Sequence, residues 1–278
     1  MKTNNNAPMK TNKNIKRDGQ EATKIFDNRS LKVDYKHLSA ILKKGMTVLD
    51  VGCGTGAISK DIAKIVGDKG KVIGIDNTSA FIESGKKTYK SIKNLELIHI
   101  DLFNFHPNEK FDLIVSARVL QWLSNPKEAL VKMKLLLKPE GQISILDYNH
   151  EDLEWDPQPP ESMQFFYRAF LKWRNDAGMN NRMAEDVANL MKEIGLSYIE
   201  VINSDEHYNR SRADFISKVG IWSKVAGSTQ MVEEGYLHNE LRLKAIDEYN
   251  SWVENRAVSM TMKLMETRGR MPSSFSNL

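Results

Sequence analysis

The sequence predicts an α/β fold with a doubly wound, mainly parallel sheet. Between residues 47 and 147, short apolar runs of strand length alternate with helix-length amphipathic segments. The first of these runs ends in a loop that contains three glycines, and a helix pattern follows at once. About five strand–helix units can be counted, which is fewer than the eight of a closed α/β barrel. Strands that alternate with helices at this spacing indicate parallel pairing with right-handed crossovers.

Each element is predicted from the spacing of its apolar residues. The first is a helix over residues 33–43, whose apolar side chains share one face. Apolar runs predict strands over 47–51, 71–75, 95–100, 112–116, 142–147 and 196–202. Helical spacing predicts helices over 57–66, 79–91, 126–137, 161–175, 183–194, 212–226 and 230–256. Residues 151–160 are acidic and proline-rich and are predicted as a loop. Residues 258–266 alternate apolar and polar side chains, which favours a last strand over continuation of the preceding helix.

Charge and cysteine content exclude several classes of protein. The 278 residues include 40 Lys and Arg and 36 Asp and Glu, a net charge of +4. Residues 1–20 contain five basic residues and one acidic residue, so they carry the whole excess and the remaining chain is neutral. A nucleic-acid partner is therefore not expected for the body of the protein. A single cysteine excludes a disulfide framework within the chain and a multi-cysteine zinc site. With no apolar signal segment and no apolar run of membrane length, we expect a cytoplasmic protein without a membrane partner.

The most informative segment follows the first predicted strand. Gly52, Gly54 and Gly56 lie at alternate positions between that strand and the next helix. Glycines allow a sharp turn and a close approach of a ligand, and a helix N-terminus favours an anionic group. Asp76 ends the second strand 20 residues after Gly56, where an acid can accept both hydroxyls of a ribose. This combination predicts a nucleoside-binding crevice at the carboxyl ends of the strands.

The run VLDVGCGTG at 48–56 resembles the first motif of class I S-adenosylmethionine-dependent methyltransferases. Further motifs follow in the order of that family, and the similarity covers roughly residues 45–150. They are GID at 74–76, DL at 101–102, FDLIV at 111–115, VLQWL at 119–123 and LKPEG at 137–141. The family more often has a second glycine at the position of Glu140. The resemblance implies a Rossmann-like sheet of the seven-stranded methyltransferase type and methyl transfer from S-adenosyl-L-methionine to a small-molecule acceptor.

Composition, periodicity and the resemblance together predict the organisation of the chain. We expect a flexible basic arm over 1–18 and a cofactor-binding methyltransferase core over 19–202. A helical insertion or lid over 203–256 would carry acceptor specificity. The last strand and a C-terminal tail would occupy 257–278.

The cofactor site that the resemblance implies has eleven residues. They are Asp50, Gly52, Cys53, Gly54, Gly56, Asp76, Asn77, Asp101, Leu102, Ser116 and Ala117. The glycine loop would hold the methionine part, Asp76 the ribose hydroxyls and Asp101 the adenine amine. Asn77 and Leu102 would lie against the adenine, and residues 116–117 would border the sulfonium. Within the loop, Cys53 is interpreted as a packing residue rather than a nucleophile.

Residues just past the fourth and fifth strands are candidates for handling the acceptor. Arg118 could grip a carboxylate with two parallel hydrogen bonds, or it could pair with a neighbouring acid. The Leu-Gln-Trp-Leu run after it is similar to that of methyltransferases acting on carboxylates, which favours a carboxylate-bearing acceptor. Tyr148 and His150 would lie at the same crevice, with His150 as a base or as a solvated loop histidine. The family's metal-dependent members have an acid where this chain has residues 116–118, so no metal is expected.

Two other functions share part of this pattern. A nicotinamide-dependent oxidoreductase also has a glycine loop and a distal acid, but its third glycine usually comes one position later. A non-catalytic cofactor-binding or RNA-binding protein would use the basic arm as its contact. The acceptor atom, which could be oxygen, nitrogen, carbon or sulfur, and the oligomeric state are left open by the sequence.

Overall fold

An eight-stranded mixed sheet organises the protein in a computed structural model that describes Lys13, Ile15 and residues 29–273. The strand order is β3-β2-β1-β4-β5-β8-β6, and β7 pairs with β8 beside β6. Strands β1 to β5 pair in parallel, whereas β8 is antiparallel to β5, β6 and β7. The strands are β1 Thr47–Val51, β2 Lys71–Asp76, β3 Leu95–His99, β4 Phe111–Ala117, β5 Leu137–Asp156, β6 Ser197–Asn203, β7 Glu206–Asn209 and β8 Ser259–Arg270.

Helices cover both faces of this sheet. Those of the parallel part are α1 Leu31–Asp34, α2 Ala57–Val66, α3 Ser79–Thr88, α4 Pro126–Leu135, α5 Glu161–Asp176 and α6 Met183–Glu193. Between β7 and β8 come α7 Phe215–Val219, α8 Ile221–Ala226, α9 Gln230–Glu233 and α10 Asn239–Asn255. Successive strand residues point to opposite faces, so Val48 packs into one apolar cluster and Leu49 and Val51 into the other. The carboxyl ends of the parallel strands are left open for a site.

The prediction of a helix over 33–43 is wrong. The described chain forms only the short α1 and a 3-10 turn at Leu38–Ala40. Tyr35 leaves the helical conformation and is buried, and its hydroxyl donates to the Ser144 hydroxyl at 2.9 Å. This contact spans 109 residues of sequence, so helical spacing alone could not predict it.

The prediction of a loop over 151–160 is also wrong for residues 151–156, which belong to β5. Strand β5 continues to Asp156 because its second half pairs with β8, with Asn149 opposite Lys263 and Trp155 opposite Met260. The acidic side chains of this half are mostly exposed, which gave the segment its loop-like composition. As a result, Tyr148 and His150 lie on a strand rather than on a loop.

The predicted strand at 258–266 is confirmed as part of β8. The segment 203–256, expected to be helical, also contains β7, and its two predicted helices are each divided into shorter ones. The predicted arm at 1–18 lies outside the described residues except for Lys13 and Ile15. The domain boundaries remain predictions.

Candidate active site

The backbone of the glycine loop after β1 adopts a conformation that would be strained for any residue other than glycine. Gly52, Gly54 and Gly56 have φ of 72°, 57° and 80°, in the left-handed region. A Cβ on Gly52 would lie 2.3 Å from Cγ2 of Val119, and one on Gly56 would lie 2.8 Å from Leu97. Two of the three glycines are therefore required by close packing as well as by the turn.

Asp76 holds this loop against the end of β2. Its carboxylate is buried and accepts hydrogen bonds from the Gly54 and Thr78 backbone N–H groups, each at 2.9 Å. The backbone N–H groups of Gly52 and Cys53 also donate to the Ile75 carbonyl. Asp76, which the sequence predicts to bind a ribose, therefore also fixes the conformation of the loop. The motif by itself does not reveal this second role.

Two buried acids, Asp50 and Asp76, lie close to the Cys53 thiol of this loop. Burial raises the pKa of Asp50 to about 6, even though the Ser59 hydroxyl donates to its carboxylate at 2.6 Å. Burial, Asp50 and Asp76 raise the pKa of the Cys53 thiol. A thiol with a raised pKa is a poor nucleophile at neutral pH, which agrees with a packing role for Cys53.

A cavity of about 1190 Å³ opens at the carboxyl ends of β1, β2 and β4. Six of the eleven predicted cofactor residues line it: Gly52, Asp76, Asn77, Asp101, Leu102 and Ala117. The other five do not line it: Asp50, Cys53, Gly54, Gly56 and Ser116. Ser116 differs from the expectation because its fully buried hydroxyl donates to the Val51 carbonyl at 2.9 Å.

The three predicted acceptor residues line the same cavity. Arg118, Tyr148 and His150 form a continuous wall, with the Arg118 guanidinium 5.3 Å from the Tyr148 ring and the Tyr148 ring 5.2 Å from that of His150. The wall continues through the Trp222 ring, 6.0 Å from that of His150. Apolar side chains complete this end: Trp122, Phe170, Ile221, Val225 and Met262. The predicted cofactor residues at one end of the cavity, called the cofactor end, and the predicted acceptor residues at the other, called the acceptor end, therefore line one continuous cavity.

Two of the three guanidinium nitrogens of Arg118 already have partners within the protein. It has φ of 62° and is buried, and its Nε donates to the Tyr148 hydroxyl at 2.8 Å. Its Nη2 forms an ion pair with the Glu206 carboxylate, while Nη1 has no partner in the described part of the chain. Pairing with a neighbouring acid, the second possibility that the sequence leaves open for Arg118, is therefore observed. Nε and Nη2 each have a protein partner, and the unpartnered Nη1 is sealed from solvent in this structure.

Glu206 and Tyr148 form one polar network with this arginine. Burial alone would raise the pKa of Glu206, but the facing Arg118 lowers it overall, helped by the Tyr208 hydroxyl at 2.8 Å. Burial outweighs the attraction of Arg118 for a phenolate and raises the pKa of Tyr148 to about 12. At neutral pH the network is an ion pair with a neutral phenol.

His150 is buried rather than solvated. Its Nε2 lies 2.5 Å from Oε1 of Gln121, which also accepts from Nη2 of Arg174 at 3.1 Å. Burial and the positive charge of Arg174 lower the pKa of His150 well below its usual value. The imidazole is therefore neutral at physiological pH and available as a proton acceptor.

Sequence reasoning missed several residues of this site. Gln121 stands inside the Leu-Gln-Trp-Leu run, so its motif was found but not its contact with His150. Arg174, Glu206 and Trp222 come from α5, β7 and α8, and no local pattern marks them. Only the folding of distant segments over the sheet brings them to the cavity.

Two further properties concern the described residues. Within 29–273, no helix has the length and apolar character needed to cross a membrane. In the same part of the chain, no three His, Cys, Asp or Glu residues cluster as metal ligands would.

This fold and site define a class I methyltransferase, the class that uses S-adenosylmethionine as methyl donor. A family model described as a methyltransferase domain matches residues 42–209, more than half of the chain. The chain belongs to this methyltransferase family and is an enzyme. Membership favours methyl transfer over the oxidoreductase alternative.

Individual relatives are more distant. Demethylmenaquinone methyltransferase of Staphylococcus epidermidis is 30% identical over 143 residues, which are 50% of this chain and 59% of that protein. A methyltransferase structure from Aquifex aeolicus has a TM-score of 0.53 at 19% identity and covers 92% of this chain and 100% of its own. Phosphoethanolamine N-methyltransferase 2 of Haemonchus contortus has a TM-score of 0.54 at 14% identity and covers 85% of this chain and 51% of its own. At these identities the two structures are similar in fold alone.

Proposed function

We propose that this methyltransferase transfers a methyl group to a small, largely apolar acceptor that carries an anionic oxygen, of which a carboxylate is the simplest. The observation that carries the proposal is the single cavity, which joins the glycine loop and Asp76 to Arg118 and a wall of aromatic rings. Methyl transfer needs donor and acceptor in one space and in line. A cavity lined mainly by apolar side chains with a few polar groups suits a small molecule.

The cofactor end fits S-adenosylmethionine, which when bound supplies an electrophilic methyl group. Asp76 and Asp101 would accept from the ribose and the adenine amine, and Asn77 and Leu102 would lie beside the ring. Gly52 lines this end of the cavity, where a ligand would pass close to its backbone.

Arg118 supplies a positive charge at the acceptor end. It is buried and lines the cavity, and its Nη1 makes no hydrogen bond among the described residues. An anionic oxygen of the acceptor that reached Nη1 would satisfy this donor.

Each acceptor residue then has a role. Arg118 binds the anionic oxygen, and Tyr148 holds the guanidinium through Nε. His150 accepts the proton that the acceptor atom loses when it is methylated. The Staphylococcus relatives are named for a small-molecule acceptor, demethylmenaquinone, which supports an acceptor of this size class.

Calorimetric titration with S-adenosylmethionine and S-adenosylhomocysteine tests the cofactor end. We expect one-to-one binding of both, lost or weakened in Asp76→Ala and unchanged in Asp68→Ala, which alters an exposed acid. A folded protein that binds neither compound would refute the proposal.

An acceptor screen with labelled methyl donor then tests the other end. Pairs of small aromatic or aliphatic compounds with and without a carboxylate should differ in transfer, with the acids preferred. Arg118→Gln should reduce that preference. Equal transfer to both members of each pair would refute the anionic-oxygen assignment and leave the cofactor assignment standing.

A further inference from the structure

Gln121 connects the parts of the site that do not bind the cofactor. It lies in a 3-10 turn at Leu120–Trp122 and is buried. Its backbone N–H donates to the Asp147 carboxylate at 3.1 Å, and its side-chain oxygen contacts both His150 and Arg174. The sequence motif around it explains none of these contacts.

The contacts of Gln121 determine the proton position on His150. Arg174 can only donate, so the Gln121 atom 3.1 Å from its Nη2 is the amide oxygen. The same oxygen lies 2.5 Å from Nε2 of His150, which must then donate to it. A neutral imidazole has one N–H, so Nδ1 carries a lone pair.

The surroundings of His150 disfavour a second proton. Arg174, whose guanidinium stacks on Trp122 at 4.4 Å, places a positive charge next to the hydrogen-bonded oxygen. Two other titratable side chains contact His150: Tyr148 on the same strand, through its ring, and Tyr167 on α5, whose hydroxyl donates to the His150 backbone carbonyl. Both are neutral at physiological pH because burial raises their pKa values. Next to them lie Arg118 and the buried Asp147, which interacts with Arg174 and Arg118. Phe170 and Trp222 contribute only apolar ring contacts.

Nδ1 is the atom left for the acceptor. It makes no hydrogen bond within the described part of the chain, it is not among the atoms sealed from solvent, and His150 lines the cavity. We propose that Gln121 and Arg174 are positioning residues that hold His150 as the Nε2–H tautomer, so that Nδ1 accepts the proton released by the methyl acceptor. This inference rests on the proposed function.

The step balances without another reactant. The methylated atom is a protonated one, distinct from the anionic oxygen that Arg118 binds. It gains the methyl group and loses its proton to Nδ1, and the electron pair of the broken carbon–sulfur bond stays on sulfur. The resulting imidazolium passes its proton to water. A weak base is sufficient because an acceptor atom becomes strongly acidic as it is methylated.

Nitrogen NMR of the full-length protein with labelled histidines reads the tautomer directly. The chain has six histidines, and His150→Asn identifies the signals of His150. In the wild type we expect a protonated Nε2 and a bare Nδ1 throughout the range from about pH 5 to pH 8, in which an ordinary histidine titrates. In Gln121→Glu a carboxylate would face Nε2, raise the pKa of His150 and bring its titration into this range.

Gln158→Glu makes the same chemical change at an exposed position and should leave the His150 signals unchanged. In Gln121→Glu, the rate of methyl transfer should acquire an acidic limb that follows the NMR titration. A wild-type His150 that titrates like an ordinary histidine, or that carries its proton on Nδ1, would overturn the inference. So would a Gln121→Glu variant whose His150 signals match those of the wild type.

The two proposals can fail separately. If S-adenosylmethionine does not bind, the proposed function fails whatever the tautomer. If it binds and methyl transfer occurs while His150 shows the other tautomer, only the positioning role of Gln121 and Arg174 fails.

Discussion

Replacing Gly52 by alanine should damage both stability and cofactor binding, and Gly45 supplies a matched control. Both glycines have positive φ, 72° at Gly52 and 85° at Gly45. An alanine Cβ at position 45 would meet nothing within 4 Å, whereas one at position 52 would lie 2.3 Å from Cγ2 of Val119. The difference between the two variants therefore isolates the collision with Val119 from the backbone strain that they share.

The strain of a left-handed residue costs about 1–2 kcal/mol, and we expect Gly45→Ala to lose about that much stability. Val119 is β-branched and stiff, so it cannot turn aside cheaply. Overpacking of this kind costs about 1–3 kcal/mol more, giving a total of about 2–5 kcal/mol for Gly52→Ala. Part of that cost should appear as weaker binding of S-adenosylhomocysteine, because both Gly52 and Val119 line the cavity.

Denaturant unfolding measures the first effect and calorimetry the second. Val119→Ala in the Gly52→Ala background should recover part of the loss, since the two Cγ atoms nearest the new Cβ are removed. Equal destabilisation of Gly45→Ala and Gly52→Ala, with unchanged ligand binding in both, would show that the contact with Val119 does not constrain the loop.

Three further outcomes follow from the buried polar groups. Asp76→Asn removes the negative charge that would accept from a ribose hydroxyl, and a hydrogen bond to a charged group is worth about 1.5–3 kcal/mol, so S-adenosylhomocysteine should bind about 10–150-fold more weakly by calorimetry; unchanged affinity would remove Asp76 from the site. Glu206→Gln leaves Arg118 without its counter-ion, and breaking such a pair costs about 3–5 kcal/mol. The folded-state pKa of Glu206 is lowered, so its contribution is present at neutral pH and lost on acidification. The stability difference from wild type should shrink toward about pH 4 in denaturant series, and a pH-independent difference would contradict this. The pKa of Asp147 is raised from 3.8 to about 7 by burial, so the wild type should lose stability as pH rises between these values. Asp147→Asn resembles the neutral acid and should flatten that dependence, and parallel pH profiles for the two proteins would count against the raised pKa.

Local pattern was sufficient for the elements whose partners are close in sequence. The strand at 47–51, the glycine loop and Asp76 were predicted from about 30 consecutive residues, because buried strands are apolar runs and tight turns need glycine. The strand at 258–266 was likewise predicted from its alternation. Position at the end of a parallel strand also predicted that Arg118 lies in the crevice.

The errors occurred where a distant segment decides the conformation. Tyr35 is not helical, and its hydroxyl donates a hydrogen bond to Ser144 instead. Strand β5 extends to Asp156 because β8, more than 100 residues later, pairs with it. Neither partner is visible in a local window. The acid that pairs with Arg118 also comes from a distant segment, since Glu206 reaches it from β7.

The sequence by itself determined the fold class, the position of the glycine loop and the acids at the strand ends, since these depend on periodicity and on backbone conformations that few residues adopt. Only the tertiary structure decided what those groups can do. Whether an arginine has a free donor, or a histidine a free lone pair, depends on partners such as Glu206 and Gln121 that long-range packing supplies. Burial then sets their charge, because removing water penalises every ionised group that lacks a partner.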